Sequence, residues 1–262
     1  MTAIVFDTET VGIKTQTLLN VGYKIVDINP STAEVTKTYV NRDYIVRDLI
    51  NNEILMLNDA FVGAEKWEQY KQNIASGGAI LRTIEQILTT MQNDINRHKV
   101  KFGYAYNASF DIDKITKTAN QYGIPNPLDS ITVFDIWAYA FNHICLTDEY
   151  VAYMKANELF TESKRFIRTS VEGVIAFLEK NPSFVEDHTA LSDVEWELRI
   201  LQEVIRRGCD ITQRETRGKN IPSGKLFRKT FNIQGVDVEV EFTKTIGKFD
   251  IDSDYIKFVN EL

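Results

Sequence analysis

The sequence predicts an α/β protein built on a mixed sheet of five strands, with helices on both faces. The chain begins with an apolar strand, and two further β-rich segments follow it before any helical pattern starts. From residue 48 onward, segments with the periodicity of amphipathic helices alternate with short β-rich runs. Strands that alternate with helices after an initial meander are typical of a mixed sheet between two helical layers.

The initial meander contains three predicted strands. The first starts near residue 2 and runs to Thr10, and the next two are predicted at 19–27 and 34–40. Residues 29–32 between the last two have the composition of a turn. We therefore expect these strands to be antiparallel neighbours.

Helical periodicity dominates residues 48–98, where apolar side chains recur in three stretches. The inward-facing residues are predicted to be Ile50, Ile54 and Leu57, then Trp67 and Tyr70, then Ile80, Ile84, Ile87, Leu88, Met91 and Ile95. Gly77 and Gly78 separate the last two stretches, so a single helix is predicted to include everything from Ile80 onward.

Strands and helices then alternate over residues 100–144. A strand is predicted at 100–106, and a helix over 108–122 follows it and ends at Gly123. A short strand at 131–135 precedes a helix over 136–144. These two strands complete the predicted five.

Three more helices are predicted beyond that point. Residues 146–168 have a weak helical pattern, and Thr169 with Glu172 has the spacing of a capping box that opens a second helix. The third helix has the clearest periodicity, with apolar residues at spacings of three and four: Leu191, Val194, Leu198, Leu201 and Ile205.

The composition changes after this helix, which predicts a main domain over 1–207 and a C-terminal extension over 208–262. Residues 206–229 hold eight basic residues and two acidic ones. A β-hairpin is predicted over 231–242, with its turn at 234–235. The basic segment is interpreted either as a solvated surface or as a nucleic-acid contact.

The whole-chain composition limits the class of protein. A formal net charge of -7 argues against a general polyanion-binding protein, although bound cations would reverse the local field of an acidic site. Cys145 and Cys209 are too few and too distant in sequence to predict a disulfide framework or a zinc cage. No apolar run is long enough to cross a bilayer, and a strand near residue 2 leaves no room for a signal peptide. We therefore expect a cytoplasmic protein.

Four acids are the candidates for a functional site. Asp7 and Glu9 leave the same face of the first strand, so their carboxylates are expected to lie side by side. Such a pair is interpreted either as solvated acids at a strand end or as ligands of a divalent metal that offsets their repulsion. Asp111, at a helix start, and Asp193, beside an apolar stripe, are the further carboxylates that a two-metal phosphoester site needs.

One of the three histidines is a candidate proton acceptor. His188 precedes Asp193 by five residues, which would turn the two side chains about 140° apart on a continuous helix. The two converge only if His188 lies in the loop before the helix. An imidazole there is able to accept a proton near neutral pH. His98 and His143 are interpreted as structural.

Three motifs in this chain resemble those of the DEDDh family of 3′-to-5′ exonucleases, which includes polymerase proofreading subunits, RNase T and oligoribonuclease. The motifs, in the family's order and spacing, are Phe6-Asp7-Thr8-Glu9-Thr10, Tyr106-Asn107-Ala108-Ser109-Phe110-Asp111 and His188-Thr189-Ala190-Leu191-Ser192-Asp193. The resemblance covers about residues 1–207 and implies a ribonuclease H-like fold with the first strand central. Tyr106 stands where many relatives have histidine, and 142–168 has no obvious counterpart in the family.

The resemblance implies a hydrolase that removes nucleoside 5′-monophosphates from the 3′ end of DNA or RNA, with single strands as the expected form, and a polymerase or other replication protein as a partner. It implies His188 as general base and Asp135 as a mainly structural acid. The ligands of two magnesium or manganese ions would be Asp7, Glu9, Asp111 and Asp193. The positions that meet the nucleotide in the family correspond to Thr10, Asn107 and Phe110.

Two other functions match parts of the pattern. One is a catalytically silent nucleic-acid-binding or polymerase-associated module of the same fold, with 206–229 as its contact surface. The intact set of catalytic positions disfavours it. The other is an aspartyl-phosphate phosphatase of the haloacid dehalogenase type, whose first strand also ends in an acid pair. Glu9 is one methylene longer than the aspartate expected there, and no matching downstream lysine and acid pair is found.

Overall fold

The computed structural model describes residues 1–12, 17–58, 63–224, 227–233 and 236–242. The strands in these ranges are β1 (Thr2–Val11), β2 (Thr17–Ile28), β3 (Val35–Val46), β4 (Ile80–Arg82), β5 (Phe102–Ala105), β6 (Thr132–Asp135), β7 (Phe227–Ile233) and β8 (Val236–Phe242). The α-helices are α1 (Arg47–Ile50), α2 (Glu53–Asn58), α3 (Gly63–Ala75), α4 (Ile84–Arg97), α5 (Ser109–Tyr122), α6 (Ile136–Ala140), α7 (Asp148–Ala156), α8 (Val171–Leu178) and α9 (Ala190–Arg206). Within the same ranges, no helix combines the length and apolar character needed to cross a membrane.

A mixed sheet organises the first part of the chain. Among the described residues it has six strands in the order β4-β3-β2-β1-β5-β6. The pairs β1–β2 and β2–β3 are antiparallel, so the predicted meander is confirmed. The pairs β1–β5, β5–β6 and β3–β4 are parallel. The protein is therefore α/β, with one strand more than the five expected from the sequence.

The additional strand is β4, which the sequence analysis assigned to a helix. Ile80–Arg82 pairs in parallel with Tyr44–Val46 and is extended. The helix α4 begins only after Thr83, whose side chain accepts a hydrogen bond from the Gln86 backbone N–H, while the Gln86 side chain accepts one from the Thr83 N–H. This capping box fixes the helix start, so the prediction of one helix from Ile80 onward is wrong.

Three helix predictions between residues 136 and 178 also need correction. The helix predicted over 136–144 ends as α6 at Ala140 and continues as a π-helix, Phe141–Cys145. Of the predicted 146–168, only α7 is helical. Thr169 does not cap α8, which starts after Ser170, because its side chain accepts a hydrogen bond from the Trp137 indole N–H at 3.2 Å instead.

Helices pack on both faces of the sheet around β1. Ile4 and Phe6 point to one face and join a buried cluster with residues of α4 and α5, including Ile87 and Ile115. Alternate residues of a strand point to opposite faces, so Asp7 points to the other face, where α9 packs against β1 and β2. The two helical layers predicted from the sequence are therefore present.

The start of α9 is held unusually close to β2. Gly22 is the β2 partner of Asp7, and a Cβ atom placed on it would lie 2.3 Å from the backbone of both Ala190 and Leu191. Beside it, the buried Asn20 side chain accepts a hydrogen bond from the Ala190 N–H at 2.9 Å. These two contacts bring the first turn of α9 next to Asp7.

The chain divides into two compact units. The first contains 1–153 and 169–219, and the second contains 154–168 and the described residues from 220 onward. Residues 208–219, which the sequence analysis placed in the C-terminal extension, pack within the first unit. The hydroxyl groups of Tyr104 and Tyr139, for example, both donate hydrogen bonds to the Ile211 carbonyl, at 3.0 and 3.2 Å.

The second unit contains a pair of antiparallel strands, β7 and β8, in register from Phe227–Phe242 to Ile233–Val236. The predicted hairpin pairing is therefore present and begins at residue 227 rather than 231. Its predicted turn at 234–235 lies outside the described residues. A second local contact joins Ile167 to the Ile221 carbonyl by a backbone hydrogen bond of 2.9 Å.

We expect Gly22→Ala to lower the free energy of unfolding by about 3 kcal/mol or more, because a methyl group there would collide with helix backbone that is unable to move independently. Gly103→Ala is the matched control on β5. Its Cβ would meet only side-chain atoms, at 3.0 Å or more, and we expect a loss of about 1 kcal/mol. Urea unfolding measures both values. Equal losses in the two variants would contradict the role given to the Gly22 contact.

Candidate metal centre

The four acids singled out in the sequence meet at the carboxyl end of β1. Asp7 and Glu9 belong to β1 itself, Asp111 lies in the first turn of α5, and Asp193 lies in the first turn of α9. Burial raises the pKa of Asp7 well above its ordinary value, and the negative charges of Asp111, Glu197, Glu9 and Asp193 raise it further. The four carboxylates are thus close enough to oppose one another's ionisation.

Asp111 is fixed to β1 by a residue of the first motif. The backbone N–H and the hydroxyl of the buried Thr8 donate hydrogen bonds to Asp111 Oδ1, at 2.9 and 2.7 Å. Burial raises the pKa of Asp111 to about 7, even though the two hydrogen bonds from Thr8 lower it. Thr8 therefore orients one carboxylate oxygen, Oδ1, and joins α5 to the end of β1.

Buried oxygen atoms of the acids lack hydrogen-bond donors. Among the described residues, Asp7 Oδ2, Asp193 Oδ1 and Glu197 Oε2 are buried without a hydrogen-bond partner. Burial, followed by the charges of Glu186 and Glu9, raises the pKa of Asp193 to about 9. Such carboxylates are unfavourable in a folded protein unless protons or cations compensate for the lost water.

His188 lies close to two of these acids. It is an exposed loop residue just before α9, with a left-handed φ of 50°, which histidine tolerates better than most residues. Its ligand atom and those of Glu9 and Asp193 all lie within 4.8 Å of one another. The loop position meets the condition under which His188 and Asp193 were expected to converge.

Helix α3 contributes two residues that the sequence did not indicate. Lys66 Nζ lies 3.4 Å from Glu9 Oε1. The Tyr70 hydroxyl is buried without a hydrogen-bond partner, and its pKa is raised by burial and then by the charge of Glu9. No local pattern links α3 to the acids, because only the tertiary fold brings the two together.

Two further acids extend the cluster. Glu197 is buried on α9 one turn after Asp193, and it accepts a hydrogen bond from the Tyr106 N–H at 3.0 Å. The sequence could have indicated Glu197, because residues four apart on a helix share a face and Glu197 follows Asp193 by four beside the same apolar stripe. Burial, and then the charge of Glu172, raises the pKa of Glu186 to about 8. Glu186 offers a ligand atom within 4.8 Å of those of Glu172 and His188.

The remaining residues of the second motif form the connection from β5 to α5. Asn107 has a left-handed φ of 59°, and its N–H donates to Asp135 Oδ1 at 2.9 Å. The same Asp135 oxygen accepts a hydrogen bond from the Trp137 N–H, also at 2.9 Å, and so caps α6. The half-buried ring of Phe110 lies 4.9 Å from Lys114 Nζ.

Thr10 and Tyr106 occupy different environments. Thr10 follows Glu9 at the point where the register between β1 and β2 shifts, and irregularities of this kind often occur beside active sites. Tyr106 is buried, and its hydroxyl donates to the Thr169 carbonyl at 2.5 Å. Its ring stacks on Trp137, so this residue is fixed in the interior.

A cavity of about 850 Å³ opens beside the acids. Helix α3 forms one wall, and the loop before α9 forms the other. The residues that line it are all polar or charged: Glu65, Lys66, Glu68, Gln69, Gln72, Glu186, Asp187 and His188. The volume is within the range of pockets that enclose small ligands, about 300–1,000 Å³.

The residues present fit divalent metal ions. Carboxylate oxygens and imidazole are suitable ligands, and the unpaired buried oxygens of Asp7 and Asp193 are the atoms a cation would satisfy. No protein-family model matches the sequence, and no curated protein matches it at a significant level. The chemistry of the site is therefore the basis for assigning a function.

We expect the metal-free protein to lose stability as the pH rises. Because folding raises the pKa of Asp193 to about 9, the folded state retains a proton that the unfolded state loses, and the free energy of unfolding falls between the two pKa values. One such group lowers the free energy of unfolding by up to about 4 kcal/mol between about pH 5 and pH 8.

Asp193→Asn should make this fall shallower, as measured by urea unfolding in the presence of a chelator. Asp210→Asn is the control, because hydrogen bonds from Thr212 lower the pKa of this exposed acid and it contributes no such fall. The same pH dependence in wild type and Asp193→Asn would contradict the assigned burial and crowding of Asp193.

Proposed function

We propose that the protein is a metal-dependent 3′-to-5′ exonuclease of the DEDDh family, with a ribonuclease H-like fold. It would hydrolyse the terminal phosphodiester of single-stranded DNA or RNA and release nucleoside 5′-monophosphates. The observation that carries the proposal is that Asp7, Glu9, Asp111 and Asp193 converge from three separate motifs at one end of β1. The central position of β1 in the sheet also supports it.

Two magnesium or manganese ions are the proposed cofactors, held by Asp7, Glu9, Asp111 and Asp193. Bound there, divalent cations would neutralise the acids, withdraw charge from the phosphodiester and lower the pKa of water. Two features of the protein favour cation binding here. Both Thr8 hydrogen bonds go to Asp111 Oδ1, and Asp7 Oδ2 and Asp193 Oδ1 have no hydrogen-bond donors.

His188 is the proposed general base. Its ring lies beside Glu9 and Asp193 and is open to solvent, so an imidazole nitrogen is able to take a proton from an attacking water and pass it to bulk water. Glu172 and Glu186 also lie near this ring.

Lys66 is the proposed contact for the substrate's phosphate. It lines the cavity and pairs with Glu9, an acid that metal ions would engage. With Glu9 holding a cation, the Lys66 ammonium group would be available to an anionic ligand. The proposed polymerase or replication partner, in contrast, has no support among the described residues and stays a prediction.

We expect Asp7→Asn to lower the exonuclease rate about 1,000-fold or more, equivalent to roughly 4 kcal/mol of transition-state stabilisation. Asp113→Asn is the matched control, since Asp113 is a partly exposed acid on α5 paired with Lys117 at 2.9 Å. The measurement is shortening of 5′-labelled single-stranded DNA and RNA with Mg²⁺ and with chelator. A wild-type rate in Asp7→Asn would remove this site from consideration.

The same assay separates the enzyme from a silent binding module. A binding module would retard the labelled strands in a gel without shortening them, with or without Mg²⁺. Metal-dependent shortening to a ladder of products one nucleotide apart is the result that the proposal requires.

His188→Ala should lower the rate by about 100-fold to 10,000-fold, the usual effect of losing a general base. The loss should be smallest at high pH, where hydroxide replaces the base. His98→Ala is the control, because His98 packs against the Tyr39 ring and belongs to none of the ligand groups described above. A pH–rate profile for His188→Ala parallel to that of wild type would contradict the role of His188.

Lys66→Met should raise KM for single strands and reduce the dependence of binding on salt, because one phosphate contact contributes a slope of about 0.7 in log K against log salt. Lys71→Met on the same helix is the control. Lys71 pairs with Glu68 and lies over the Trp67 ring instead of lining the cavity. An unchanged salt slope in Lys66→Met would exclude a phosphate contact.

A further inference from the structure

We propose that His143, Cys209 and Glu215 form a second metal site, which takes Zn²⁺ or a similar borderline-soft divalent cation. The three residues share no member with the carboxylate centre. Although His143 is distant in sequence from Cys209 and Glu215, the ligand atoms of all three lie within 4.8 Å of one another in the first compact unit. The site therefore goes beyond the proposed exonuclease activity and would be structural.

The spacing of the ligand atoms is close to that of a tetrahedral zinc site. Cys209 Sγ lies 3.7 Å from Glu215 Oε1, and His143 Nε2 lies 2.8 Å from the same oxygen. Zinc bonds of about 2.0–2.3 Å at tetrahedral angles separate such ligand atoms by about 3.3–3.6 Å. The separation of the sulfur and oxygen atoms already matches a zinc site, and binding would move the imidazole nitrogen about half an ångström away from Glu215 Oε1.

The chemistry of the ligands favours zinc over magnesium. Thiolate, imidazole and carboxylate groups are all ligands of Zn²⁺ in proteins, whereas Mg²⁺ prefers oxygen ligands alone. Cys209 is buried, while the side chains of His143 and Glu215 are 26% and 25% exposed, which leaves one side open for entry and for a water as fourth ligand. Burial, and then the charge of Glu215, raises the pKa of Cys209 to about 12.

The surrounding structure orients Glu215. Asn142 Nδ2 donates a hydrogen bond to Glu215 Oε2 at 2.7 Å, which leaves Oε1 facing His143 and Cys209. Hydrogen bonds of this kind to the outer oxygen of a ligand are common at metal sites. Asn142 and His143 both belong to the π-helix, a rare element that frequently occurs at functional sites.

The proposed role of the site is to fasten the segment after α9 to the π-helix. Cys209 and Glu215 lie on that segment, and His143 lies on the π-helix. A cation bound by all three would crosslink the two pieces of chain. Because the cation would bind the folded state and stabilise it, Zn²⁺ should raise Tm.

Cobalt titration tests the proposal directly. One equivalent of Co²⁺ added to the reduced, metal-free full-length protein in excess Mg²⁺ should produce the near-ultraviolet thiolate-to-cobalt charge-transfer band. The band should be absent in Cys209→Ser. It should be retained in the control Cys145→Ser, because Cys145 is also buried but lies outside the cluster. It should also be retained in Asp193→Asn, because only the second site contains sulfur.

Two further variants keep the test independent of any folding defect in Cys209→Ser. His143→Gln should abolish the zinc-dependent rise in Tm, and Asn142→Ala should weaken Co²⁺ binding by about 10-fold to 100-fold. No band in wild type, a band that survives in Cys209→Ser, or one lost in Asp193→Asn would each overturn the proposal. None of these outcomes depends on the exonuclease assay. The proposed second metal site and the proposed exonuclease activity can therefore fail independently.

Discussion

Repulsion between carboxylates withdrawn from water is the constraint on which the proposed site depends. Asp7, Asp111 and Asp193 oppose one another's ionisation, and burial adds to the cost. Lys66 compensates only part of this charge, through Glu9. The metal-free protein must therefore keep protons on acids that would be ionised in water. Stability is given up at the site, and binding of the proposed cations would recover it.

Residues that are not acidic keep the acids in this arrangement. Thr8 joins α5 to β1 by two hydrogen bonds to Asp111. Gly22 lets the backbone of α9 approach the strand beside Asp7, and Asn20 binds the first N–H of that helix. Because these contacts hold α5 and α9 at the end of β1, the acids remain together despite their repulsion.

The sequence predicted the features that follow from local rules. Alternation along a strand put Asp7 and Glu9 on one face, and the meander and the α9 stripe followed from periodicity. The additional strand β4 was missed because Ile80 matches a helical spacing, although the Thr83 capping box marked the true helix start. Lys66 and the cluster around Cys209 had no local signal at all, because tertiary contacts alone bring those residues to their partners.

Anomalous scattering from crystals grown with Mn²⁺ tests the central claim most directly, because it locates the cations without assuming an activity. The account predicts two anomalous peaks at the carboxyl end of β1, about 3.5–4 Å apart and within ligand distance of Asp7, Glu9, Asp111 and Asp193. Manganese bound elsewhere, or no peak among these four carboxylates at saturating Mn²⁺, would contradict it.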